Sequence, residues 1–227
     1  MTKQLKNFWR KIRKTVIAVF VLIGLGLVSY GAGTFFPNYW TKSKVEDLAK
    51  ESFYAEWKEF GFQQPSIEYT NNYEFIVGVG RCVDFLNMTI EHEQRVPKMI
   101  IIAMAVLETG YGKSRFAIEG NNLFGYRTWD PSAPQMKPKE LPDAEFGVKK
   151  YKTKCDSVKD MIRNVNEYHV YEAYRIERAT QIKLGNIDLD KQIDLLSKWS
   201  TNPKYTNLVK AKVKKIIDIL DKHKLVK

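Results

Sequence analysis

The chain has 227 residues, is 44% hydrophobic and 13% aromatic, and carries a formal net charge of +11. This length and composition exclude a disordered chain and suit one sizeable folded domain with an appendage. Much of the charge is local, and the remainder is a mild bias that suits an anionic polymer or surface; no interleaved basic and aromatic module of a nucleic-acid type is present, so no nucleic acid partner is expected.

Residues 1–14 hold Lys3, Lys6, Arg10, Lys11, Arg13 and Lys14 and no acid. From Val16 to Phe36 no residue is charged; as a helix this stretch is about 31 Å long, enough to cross a bilayer core. The pattern predicts a basic cytoplasmic segment at 1–14 and a transmembrane signal anchor at 15–36, with the rest of the chain on the outer side of the cytoplasmic membrane. A cleaved signal peptide is the alternative, for which Ser29-Tyr30-Gly31 and Gly31-Ala32-Gly33 are only loosely like a cleavage site. Tyr39 and Trp40 suit interfacial anchors in a short connector, 37–44. One mainly helical domain is expected over 45–227.

Val45, Leu48, Ala49, Phe53 and Trp57 recur at helical spacing, and Gly61 closes that run. Phe75, Ile76, Val79, Val83 and Leu86 suggest a second helix. Pro97 then opens a third, which runs to Glu108. Ile101-Ile102-Ala103-Met104-Ala105-Val106-Leu107 is apolar on every side, which predicts a buried helix. Glu108 ends it. A carboxylate buried there, at the negative end of the helix dipole, resists ionisation and keeps its proton toward neutral pH. Glycoside hydrolysis needs such an acid to protonate a leaving oxygen.

Residues 110–151 are rich in glycine, proline and aromatic side chains. They predict an irregular lobe with a short hairpin near 144–152, and a cleft where this lobe meets the helices. Asn121-Asn122-Leu123-Phe124-Gly125-Tyr126 puts two amides beside an aromatic turn. They either grip sugar hydroxyls and N-acetyl groups or satisfy local backbone groups. Helical stripes return at Val158, Met161, Ile162 and Val165; at Ala173, Ile176, Ala179 and Ile182; at Leu189, Ile193, Leu196 and Trp199; and at Leu208, Val209, Val213, Ile216, Ile217 and Leu220. Lys210, Lys212, Lys214 and Lys215 form a solvated face or one drawn to an anionic envelope.

Cys82 and Cys155 pair in an oxidising compartment or sit as two small buried hydrophobes. Gly110-Tyr111-Gly112-Lys113-Ser114 is not a phosphate-binding loop, because that motif follows a strand and needs a glycine where Leu107 stands. Three scattered histidines predict no metal site, and no cofactor is expected.

Ala105-Val106-Leu107-Glu108-Thr109-Gly110-Tyr111-Gly112-Lys113-Ser114, with Asn121-Asn122-Leu123-Phe124-Gly125, resembles the family 73 glycoside hydrolases, the β-N-acetylglucosaminidases of bacterial cell walls. Asn164 to Arg175 resembles the Bax-like branch, and Lys198-Trp199-Ser200-Thr201-Asn202-Pro203-Lys204-Tyr205 the family's late "YATDPxY" element. Thr109 and Tyr111 replace the usual serine and tryptophan. The likeness spans roughly residues 70–220. It implies a lysozyme-like helical fold with a small β-containing lobe, and hydrolysis of the bond between N-acetylglucosamine and N-acetylmuramic acid in peptidoglycan glycan strands. It implies Glu108 as general acid, Tyr205 as a residue shaping the site, and Tyr111, Asn121, Asn122, Phe124 and Tyr126 as substrate-binding. Glu145 is the best match for a second carboxylate; Asp143, Glu140 and Glu119 are alternatives, as is attack by the substrate's own acetamide. A lytic transglycosylase and a non-catalytic wall-binding module on the same fold are the competing functions.

Overall fold

The computed structural model describes residues 3–34, 36–59 and 63–225. The chain forms two units, Met1–Gln63 and Gln64–Lys227. In the first, α1 spans Lys3–Gly31 and α2 spans Tyr39–Glu59. Within α1, Asn7–Gly31 contains an apolar stretch of mean hydropathy 2.0, none of it buried, so the helix is long and apolar enough to cross a membrane. Its helix ends at Gly31, five residues before the expected end of the span. Helix α2 starts inside the expected connector, because the Asn38 carboxamide oxygen accepts the Thr41 backbone N–H at 2.9 Å and caps it. Val45 and Leu48 on α2 are exposed. The side chains of Phe53 and Trp57, and Gly61, lie outside the described residues.

The second unit holds the core, and it begins at Gln64 rather than at position 45. Its main helices are α3 (Asn72–Asn87), α4 (Lys98–Thr109) and α6 (Lys154–Glu167). Short α5 (Arg115–Gly120) follows α4, and α7 (Glu172–Leu184), α8 (Leu189–Asp194) and α9 (Tyr205–Leu225) complete the unit. Helix α4 packs against α9 and α3, and α3 packs on α6. Ile100 to Val106 are all buried, as an all-round apolar helix requires. Asn71 caps α3 by accepting from Glu74 N, and Thr153 and Asp156 form a reciprocal capping box on α6. The expected stripes on α3 and α6 are buried throughout. Cys82 of α3 and Cys155 of α6 form a disulfide, which settles their alternatives.

Helix α7 departs from its pattern. Ala173, Ile176 and Ala179 are exposed, and the buried face is Tyr174, Arg178 and Gln181. Partners explain the inversion. The Arg178 guanidinium donates to Asn166 Oδ1 at 2.6 Å, and Gln192 Nε2 donates to Gln181 Oε1 at 2.8 Å. A polar group with a partner can be buried at little net cost, so apolarity alone misassigns such a face.

The irregular lobe carries three short strands: β1 (Arg127–Thr128), β2 (Gln135–Met136) and β3 (Gly147–Lys149). They form an antiparallel sheet in the order β1-β3-β2, with Arg127 opposite Val148 and Met136 opposite Val148. The expected hairpin region thus supplies the central strand of a sheet.

Candidate active site

Glu108 occupies the last turn of α4. The helix beneath it is buried, but Glu108 itself is exposed, which corrects the expectation of a buried carboxylate. The protein around the carboxyl still desolvates it enough to raise its pKa, against the lowering effect of hydrogen bonds from Tyr205 and Trp199. The Tyr205 hydroxyl, at the start of α9, donates to Glu108 Oε1 at 2.9 Å. Burial, and then the neighbouring Glu108, push the Tyr205 phenol far up, so it stays a neutral donor.

The chain after Glu108 is a sharp turn built for close packing. Gly110, Tyr111 and Gly112 follow one another at φ of 60°, 64° and 77°. Gly110 is the left-handed cap of α4, where glycine is free of a Cβ penalty. A Cβ on Gly112 would lie 2.4 Å from the Tyr69 hydroxyl and 2.7 Å from the Phe75 ring. Thr109 Oγ1 donates to Ala105 O at 2.6 Å and accepts from Gly112 N at 2.8 Å. Tyr69 Oη donates to Gly112 O at 2.8 Å. Tyr111 is left with its ring buried near Phe75, which fits a structural anchor better than a sugar contact.

The asparagine pair builds the next turn. Asn122 is 1% exposed. Its Nδ2 donates to Tyr126 O and Lys149 O, and its Oδ1 accepts from Phe124 N and Tyr126 N. Asn121 is a left-handed cap on α5 whose Nδ2 donates to Tyr151 O and Lys152 O. Both amides are engaged by backbone, so of their two expected roles the geometry supports turn-building. The turn presents aromatic rings in return. Phe124 and Tyr126 pack edge-on to Trp199 at 6.1 and 5.4 Å, and Tyr171 lies 6.3 Å from the same indole. Phe124 is buried, and Tyr126 is half-buried.

Trp199 therefore joins Glu108, Tyr205 and Tyr126 in one cluster. Its periodicity read as core, and its signal as a site residue lay in the motif it shares with Tyr205. Glu145 is exposed at a bend two residues before β3 and makes no ion pair among the described residues. Its backbone is held, however. Lys137 Nζ donates to Ala144 O at 2.6 Å and Phe146 O at 3.2 Å, and the Arg115 guanidinium donates to Lys137 O at 2.6 Å. Lys137 escaped sequence reasoning because a side chain that binds backbone carbonyls leaves no pattern. Among the alternatives, Glu140 and Asp143 are exposed, and Glu119 pairs with Arg115 at 3.7 Å. Among the described residues, no three His, Cys, Asp or Glu side chains converge as a metal site would require.

Residues 87–225 match the glucosaminidase family, described as mannosyl-glycoprotein endo-beta-N-acetylglucosaminidase. The chain is 27% identical over 124 residues to Protein bax of Escherichia coli (strain K12), covering 53% of this chain and 43% of that protein. It thus spans less than half the length of that curated relative. The fold resembles the catalytic domain of the autolysin Auto from Listeria monocytogenes, with a TM-score of 0.51 and 17% identity, over 66% of this chain and 86% of that one. That likeness places the helices and the small sheet in a lysozyme-like arrangement. With its matched segment covering more than half of the sequence, this chain belongs to the glucosaminidase family, family 73 of the glycoside hydrolases.

Proposed function

We propose that this chain is a peptidoglycan β-N-acetylglucosaminidase, which hydrolyses the β-1,4 bond between N-acetylglucosamine and N-acetylmuramic acid with Glu108 as general acid. The observation that carries the reading is the 2.9 Å hydrogen bond from Tyr205 to Glu108, which joins two motifs 97 residues apart. Desolvation favours the protonated acid before reaction. After the proton passes to the leaving oxygen, the new carboxylate keeps two donors, the Tyr205 hydroxyl and the Trp199 indole. The hydrogen bonds that oppose protonation in the resting enzyme thus stabilise the product of proton transfer. Trp199 and Tyr126 offer ring faces against which a pyranose can stack. Glu145, on the bend held by Lys137, activates the attacking water or orients the acetamide that replaces it.

The Glu108→Gln variant tests the acid. Its amide is nearly isosteric but has no proton to give, so turnover on purified peptidoglycan should fall by about 10²–10⁴-fold with the fold intact. Near-normal turnover by the folded variant would refute the assignment. Mass spectrometry of wild-type products tests the bond: reducing N-acetylglucosamine ends support the proposal, and 1,6-anhydro ends mean a transglycosylase.

The same reading puts the second unit outside the cytoplasmic membrane, tethered by α1 beside an insoluble substrate. The basic flank before the span supports that orientation, and the disulfide suits an oxidising compartment. Protease added to intact spheroplasts should digest the second unit; protection would overturn the topology.

A further inference from the structure

The sheet carries a second feature that the acid and its neighbours do not use. Arg127, in β1, holds its guanidinium 4.2 Å over the Phe146 ring. Trp129, 65% exposed, packs 5.9 Å from the same ring. The register explains the grouping. Arg127 faces Val148, so continuing the ladder by two residues brings Trp129 opposite Phe146. Alternation turns Tyr126, the residue before Arg127, to the other side of the strand, toward Trp199. The aromatic pair and its cation therefore occupy a different face from the Glu108 cluster.

This face is held in shape. Asp130 N donates to Thr128 Oγ1 at 3.2 Å, Ser132 N donates to Asp130 Oδ1 at 2.9 Å, and Gln135 Nε2 donates to Asp130 O at 2.9 Å. These bonds fix the turn that displays Trp129. Lys137 fixes Phe146 through its carbonyl. The acids next to the two rings in sequence, Asp130 beside Trp129 and Glu145 beside Phe146, make no ion pair with Arg127; Asp130 is engaged by Ser132. Arg127 forms no ion pair with any described residue. A guanidinium stacked on a ring keeps its edge N–H groups free, in a planar fork that matches a carboxylate.

We propose that Arg127, Trp129 and Phe146 form a second binding surface for peptidoglycan, in which Trp129 takes the apolar face of a muramyl unit and Arg127 takes a carboxylate of its peptide stem. The inference rests on the peptidoglycan reading above and adds to it a preference for stem-bearing strands. An enzyme tethered to a membrane gains from such a surface, because it raises the local concentration of polymer without occupying the acid.

The test separates binding from hydrolysis. The full chain in detergent micelles, carrying Glu108→Gln, is sedimented with purified sacculi and with bead-coupled glycan strands from which an amidase has removed the stems and whose freed lactyl carboxylates are capped as amides. Arg127→Gln should weaken binding to intact sacculi about tenfold, the loss of one charge-assisted contact, and leave binding to stripped strands unchanged. Arg127→Lys should lose less, and Trp129→Ala should weaken binding to both materials. With Glu108 intact, Arg127→Gln should hydrolyse short stem-free oligosaccharides at the parental rate. Parental binding of the Arg127→Gln chain to intact sacculi, or equal losses on both materials, would overturn the proposal. If the Glu108→Gln parent sediments with neither material, the peptidoglycan reading falls together with this one.

Discussion

Reducing the Cys82–Cys155 disulfide should destabilise the second unit without disturbing its chemistry. The bond joins α3 to α6 across 73 residues of sequence. In the chain-entropy account, opening a loop of that length returns roughly 4 kcal/mol of freedom to the unfolded state. For a unit running from Gln64 to Lys227 this lowers the melting temperature by about 10 °C. Reduction is a cleaner perturbation than mutation. Both sulfurs are buried, at 0% and 1% exposure, so serine would add buried hydroxyls and alanine would remove volume. The assay is guanidinium unfolding of the full chain in detergent micelles, followed by tryptophan fluorescence with and without reductant, with thiol labelling to confirm the redox state. Glu108 and Tyr205 sit on α4 and α9, neither of which carries a cysteine. Hydrolysis at 25 °C should therefore survive reduction while the unfolding midpoint falls. Stabilities agreeing within about 1 kcal/mol, or activity lost in step with the thiols while the chain remains folded, would refute the reasoning.

Tyr205→Phe removes a donor that lowers the Glu108 pKa, so with Glu108 as the proposed acid the alkaline limb of kcat/KM should move to higher pH. Its plateau should fall, mostly in kcat, because the hydroxyl acts on the carboxylate formed in the transition state; an unmoved limb with unchanged kcat would remove Tyr205 from the site. Glu145→Gln should lose most turnover if that carboxylate activates water, with some restored by added azide. A partial loss, together with failure to cleave substrate lacking the acetyl group, selects the acetamide route, and wild-type turnover points instead to Asp143, Glu140 or Glu119.

Glu108 is legible as a candidate because its signal is local. An all-round apolar run too short to span a membrane packs as a core helix, and a single carboxylate at its end stands out, even though Glu108 is exposed rather than buried. The left-handed turn at 110–112 falls where the irregular lobe is expected to begin, but the steric need at Gly112 comes from Tyr69 and Phe75, distant in sequence. Where partners decide, pattern failed. Arg178 and Gln181 are buried because Asn166 and Gln192 meet them, and the hydrophobic stripe that should have marked α7 faces outward instead. The asparagine motif shows the same limit from the other side. Its residues were easy to find and their role was not, because an amide that could hold a sugar is equally suited to four backbone groups, and only the fold brings Tyr126 and Lys149 within reach of Asn122. A family motif therefore identifies which residues a fold depends on before it identifies which of them touch substrate. Here Glu108 and the half-buried rings of Tyr126 and Trp199 are the groups still open to solvent, and Asn122 serves by setting the backbone that aims Tyr126 at Trp199.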